Sequence, residues 1–163
     1  MTTQWLEPDQ QRAWRAYIVG TTLLMERLDR DLRENHDLSL PEYEILVRLS
    51  EAPDRMLRMA ELADSVKNSR SRITHTIARM EKDALVERRQ CAADGRGVFA
   101  TLTDKGYAVL VDAAPLHVTS VRNSLIDVVK PTDLEAVGRA FHAVANALST
   151  GQPDPILSKV CDD

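Results

Sequence analysis

The chain holds little cysteine, few aromatic residues and no long apolar run. Its two cysteines, Cys91 and Cys161, lie far apart in 163 residues. They offer no disulfide framework and suit a reducing compartment. Aromatic residues make up only 4% of the chain, so a core drawn from its 44% apolar residues must be aliphatic. No run of 18 apolar residues exists, so no membrane span and no membrane partner are expected. The N-terminus lacks a basic region followed by an apolar one; no signal peptide is visible, and a cytoplasmic protein is expected. Also missing are Gly-x-Ser-x-Gly, a phosphate-cradling glycine loop and His-Glu-x-x-His. The chain is therefore not expected to be an enzyme, and no cofactor is expected. The histidines, His36, His75, His117 and His142, are scattered with no close ligand pair such as Cys-x-x-Cys, so no metal site is expected. There is no internal repeat or low-complexity segment, and the length suits one domain.

Acid is missing from one particular stretch. No Asp or Glu lies between Asp64 and Glu81, where Lys67, Arg70, Arg72, His75 and Arg79 all fall. From Arg55 to Lys105, 11 Lys and Arg stand against 7 Asp and Glu, whereas the remainder carries 10 against 18. A local cationic surface in a chain of net charge −4 is the footprint of a phosphate-backbone binder. A solvated helix face is the plain alternative, and the surrounding pattern decides against it.

Residues 59–66 read as a short amphipathic helix, followed by the polar break Lys67-Asn68-Ser69. Ser69 or Asn68 can cap a second helix. In it, Ile73, Ile77, Met80 and Ala84 form one apolar stripe. Ser71, Arg72, His75 and Arg79 fall on the other side at 100° per residue. Two short helices about a tight turn, the second apolar behind and cationic in front, make a helix-turn-helix with a groove-reading second helix. Ser69, Arg70 and Ser71 lie at its N-terminus, close to where a phosphate would sit.

A hairpin follows. Residues 85–90 and 98–102 read as its strands, and Gly95 and Gly97 supply positive-φ freedom at its tip. Arg96 at that tip can reach a minor groove, with Asp94 holding the guanidinium by a bidentate hydrogen bond. A plain turn with two incidental charges is the other reading. Thr103 is placed to cap the next helix, with Asp104 in its first turn.

The run LVERRQCAADGRGVFATLTDKG resembles the winged-helix signature of the MarR family of bacterial transcriptional regulators. Asp94, Arg96, Leu102, Thr103 and Gly106 occupy the signature positions. LRMAELADSVKNSRSRITHTIARMEKDALVER is similar to the family's helix-turn-helix, LSLPEYEILVRLSEAP to its preceding helix, and APLHVTSVRNSL to its dimerisation helix. The likeness covers about residues 10–149. Ala84 departs from the family's usual Gly, and Ala100 from a larger aliphatic.

The resemblance implies a mainly α fold with a small β wing, in one unit over 1–163. A winged helix-turn-helix DNA-binding part spans 37–106, and a helical dimerisation part spans 8–36 and 107–149. A tail at 150–163, with Pro153 and Pro155, is expected to be flexible. Trp14, Tyr17, Ile18, Leu24, Met25, Leu28 and Leu32 mark one long first helix, and Trp14 is expected in the core. Pro115 is expected to kink a long helix from Tyr107 to Val129. The partners implied are double-stranded DNA, a second copy of the chain and a small, often aromatic, anionic effector whose contact residues the sequence does not name. The implied function is a homodimeric repressor. An adaptor dimer using the winged helix for protein contact, or a metal- or thiol-responsive regulator, is the alternative. Cys91 is expected as a small spacer at the wing.

Overall fold

The computed structural model describes residues 2–90 and 97–148. In chain order it comprises α1 (Pro8–His36), α2 (Leu40–Glu51), a short 3-10 turn (Pro53–Arg55), β1 (Met56–Arg58), α3 (Met59–Ser65), α4 (Arg70–Lys82), β2 (Val86–Gln90), β3 (Val98–Leu102), α5 (Asp104–Val121), a π-helical stretch (Arg122–Ile126) and α6 (Pro131–Leu148). It is mainly α with a small wing, as the sequence implies. Three helix starts have clear local causes. Ser39 caps α2 in a reciprocal box with Glu42, Ser69 caps α4 and Thr103 caps α5. Each hydroxyl accepts from an N–H that the helix leaves unpaired.

The three strands form one antiparallel sheet in the order β1-β3-β2. β1 pairs Met56 with Thr101 and Arg58 with Phe99, and β2 pairs Val86 with Leu102 and Gln90 with Val98. The sequence pattern shows no β1, and it starts β2 one residue early, at Leu85. Leu85 precedes β2 and is buried.

The core is aliphatic. Leu32, Ile45, Leu46, Leu49, Leu62, Ile73, Ile77, Met80 and Val86 are almost fully buried. They draw α1, α2, α3, α4 and the wing together, with Leu110 and Ala113 of α5 closing the cluster. Burying side chains of this size contributes about 1.5–3 kcal/mol each. The N-terminal part of α1 stays outside it: every described residue up to 20 is exposed. Trp14 is therefore not a core residue of the single chain. It is 54% exposed and lies beside Tyr17, whose ring sits 5.0 Å from that of Phe141 in α6. No residue of α6 is buried.

One further expectation changes, at the glycines, and α5 places Pro115 within its span. Helix α5 runs without a break through Pro115 to Val121, and the irregular winding lies beyond it, at Arg122–Ile126. No described glycine has a positive φ; Asp37, Asp54, Arg55, Lys67 and Ala84 do instead. Gly97 thus supplies no left-handed turn, while Gly95 and the expected tail at 150–163 lie outside the described residues.

Candidate nucleic-acid interface

Helix α4 is built with two faces. Ile73, Ile77 and Met80 are buried behind it, while Arg70, Ser71, Arg72, Thr74, His75 and Arg79 are exposed in front. Ala84, expected to continue the apolar stripe, lies past the helix end and is exposed. Lys67, in the turn between α3 and α4, takes a left-handed backbone (φ 50). Ser69 Oγ accepts from Arg72 N at 3.3 Å, fixing the first turn of α4. That turn holds no acid, so the partial positive charge of the helix N-terminus adds to Arg70 and Arg72. Arg70, Arg72 and His75 make no ion pair among the described residues.

Arg79 behaves differently. Its Nε donates to Glu42 Oε1 at 2.7 Å, and the Glu42 carboxylate is 8% exposed. Burial pushes the pKa of that carboxyl up, but the hydrogen bonds from Ser39 and Arg79 outweigh burial and hold it below its ordinary range. Sequence reading placed Arg79 on the exposed face correctly and missed its partner 37 residues earlier.

The wing sits beside α4. Arg88 gives its backbone N–H and guanidinium to Glu81 at the end of α4, and Arg89 pairs with Glu87. Arg58, on the unforeseen strand β1, lies against the wing with its guanidinium 5.2 Å above the Phe99 ring. It lines a shallow groove with Met59, Ala60, Arg70, Thr74, Gly97 and Val98, joining the start of α4 to the wing base. The charge excess of this stretch hinted at Arg58, but only the pairing of β1 with β3 places it there. The two wing-tip residues, Asp94 and Arg96, lie outside the described residues, as does Cys91.

The loop from α4 into β2 is locked onto α5. Thr103 donates its backbone N–H to Leu85 O and its hydroxyl to Ala84 O, and Gly106 N donates to Thr103 Oγ1 at 2.9 Å. A Cβ on Gly106 would collide with the Leu85 carbonyl oxygen. These contacts give Thr103 and Gly106 of the wing signature a packing reason. Behind α2, the Tyr43 ring lies 4.4 Å from that of His117 on α5. The His117 Nδ1 is buried without a hydrogen-bond partner among the described residues. Burial holds the His117 imidazole below its ordinary pKa and the Tyr43 phenol above its own. No group of three or more His, Cys, Asp or Glu that could hold a metal ion occurs among the described residues, and no described helix is long and apolar enough to cross a membrane.

A capped helix with a cationic front, a short helix and turn before it and a strand pair beside it define a winged helix-turn-helix protein. Comparison with known proteins makes the assignment specific. The MarR family model matches residues 38–98. The MarR family transcriptional regulator Sco3205 from Streptomyces coelicolor, solved in complex with DNA, is 42% identical, with a TM-score of 0.88 over 93% of this chain and 95% of that one. AbsC, a MarR family transcriptional regulator from the same organism, is 41% identical, with a TM-score of 0.85 over 90% of this chain and 98% of its own. The transcriptional regulator HosA from Escherichia coli O127:H6 is 30% identical over 94 residues, 58% of this chain and 68% of its own. The chain belongs to the MarR family and is a DNA-binding transcriptional regulator, not an enzyme.

Proposed function

We propose that this regulator is a cytoplasmic repressor that binds a pseudo-palindromic operator as a homodimer. The observation that carries the reading is the front of α4: Arg70, Arg72 and His75 exposed, acid-free and unpaired among the described residues, over a buried Ile73-Ile77-Met80 stripe. Those three would meet base edges or phosphates in the major groove, with Ser69 and Ser71 near a phosphate at the helix start. The second copies would enter the next major groove, with half-site centres about 10–10.5 base pairs apart. At the wing, Arg96 would enter the flanking minor groove and Asp94 would orient it. The exposed apolar residues of α1 and α6, Trp14, Ile18, Leu23, Phe141 and Val144 among them, support a second copy as the partner.

An anionic aromatic effector would loosen DNA binding from the seam of α2 and α5. Support comes from the unsatisfied His117 Nδ1 beside Tyr43, since a buried polar atom without a partner is costly. The test is an anisotropy titration of the full chain with DNA from upstream of its own gene, against scrambled duplex. Preferential binding that steepens as salt falls is expected, because neutralised phosphates release counterions. Equal affinity for both duplexes would defeat the operator reading, and affinity unmoved by salicylate-type anions would defeat the effector reading.

A further inference from the structure

Helix α4 is held by two kinds of contact. Its apolar stripe packs into the core without directional preference. Two charge-assisted bonds then tie its far end: Arg79 to Glu42 of α2 and Glu81 to Arg88 of β2. The Glu42 end of the first bond is itself anchored. Glu42 Oε2 accepts from Ser39 N at 2.8 Å and Ser39 Oγ at 2.5 Å. The next backbone N–H, that of Leu40, donates to Asp29 Oδ1 of α1 at 2.8 Å. The N-terminus of α2 is thus fastened to the long first helix on one side and to the DNA-reading helix on the other.

Glu42 does not need Arg79 in order to stay buried. Ser39 supplies two donors, and the first turn of α2 supplies a favourable dipole. The Arg79 bond therefore adds direction more than burial energy, through a planar guanidinium that accepts little angular error. Direction matters at the other end of α4. Arg72 lies seven residues before Arg79, roughly 10 Å along the axis. A tilt of the helix axis by about 10°, pivoting at the Arg79 end, would move Arg72 by roughly 2 Å, far outside a hydrogen-bond window of about 0.5 Å. Resting on the operator reading above, we infer that Arg79 is a positioning residue for DNA recognition, aiming α4 through Glu42 rather than holding a phosphate.

The test uses the full chain and a duplex that the wild-type protein selects from a random pool; failure to select any duplex would remove the operator reading itself. On the selected duplex, affinity is measured across a salt series for Arg79→Ala, Arg79→Lys, Glu42→Gln and the Arg79→Ala/Glu42→Gln pair, with thermal stability recorded alongside. Glu42→Gln keeps the α2 cap, because Gln serves as well as Glu at that position. Each single change should weaken the selected duplex about tenfold, the scale of one misaligned base contact, and scrambled duplex much less. The pair should lose no more than either alone, and the slope of log K against log salt should match wild type. Arg79→Lys should fail like Arg79→Ala, since an ammonium lacks the planar Nε donor. Three results would overturn the inference: a shallower salt slope in Arg79→Ala, tighter binding by Glu42→Gln as a released cation finds a phosphate, or lowered thermal stability with unchanged affinity.

Discussion

Ala84 stands in the left-handed region, φ 55, one residue past the Asp83 C-cap of α4. A methyl side chain is strained there and hydrogen is not. Ala84→Gly should therefore stabilise the protein by about 0.5–1 kcal/mol despite the looser unfolded chain, read as a raised urea midpoint with an unchanged slope. Gly106 is the converse case, because any side chain meets the Leu85 carbonyl. Gly106→Ala should cost about 1–3 kcal/mol in the same assay. His117 gives a pH dependence. Its folded value lies below its ordinary 6.5, so below about pH 6.5 the unfolded chain binds the proton that the folded chain refuses. Its contribution is present above that pH and lost as pH falls beneath it. Wild type should lose denaturation midpoint between pH 7.5 and pH 5.5, and His117→Phe should lose less. An equal loss in both would place the sensitivity elsewhere.

Among elements, α4 was the most legible in the sequence. Its cap, its apolar stripe and its cationic front each follow from a local rule acting within a few residues, and Ser69, Ile73, Ile77 and Arg72 all sit where that rule puts them. Ser69→Ala should cost about 1 kcal/mol in chemical denaturation and also weaken DNA binding, since the turn that frays carries Arg70 and Arg72. Unchanged stability would show the cap to be idle. Strand β1 was not legible. Met56-Leu57-Arg58 is too short to show an alternation, and only pairing with residues 99–101 makes it a strand. The Arg79–Glu42 bond was hidden for a related reason: no sequence pattern links two charges 37 residues apart. Pro115 does not end α5, which continues past it to Val121.

At the scale of the molecule, charge and apolar surface are divided. The winged part carries the basic excess and the rest of the chain the acid. Most of the uncovered large apolar side chains lie on α1, α5 and α6. The periodicity of α1 announces an apolar face but does not say whether the same chain covers it. That is why Trp14, expected in the core, is exposed in the single chain. A dimer interface of this kind covers roughly 2,000 Å² or more. Leu23 is 60% exposed, so Leu23→Glu should leave one chain folded while splitting the proposed dimer. Sedimentation should then report the mass of a single chain and a large loss of operator affinity. A variant that still sediments as two chains would move the interface elsewhere.

Helix α6 has 18 residues, none of them buried. Most helical stability in proteins comes from packing an apolar face, so in the proposed dimer the order of α6 would be bought from the second chain through mass action. Helical content should then depend on how much protein is present, and dilution should lower far-ultraviolet ellipticity before the winged part unfolds. If the proposed dimer is the form that fills an operator, occupancy at low abundance would rise with the square of chain concentration. Repression would then switch on over a narrower range of expression than a regulator with a self-sufficient fold could achieve.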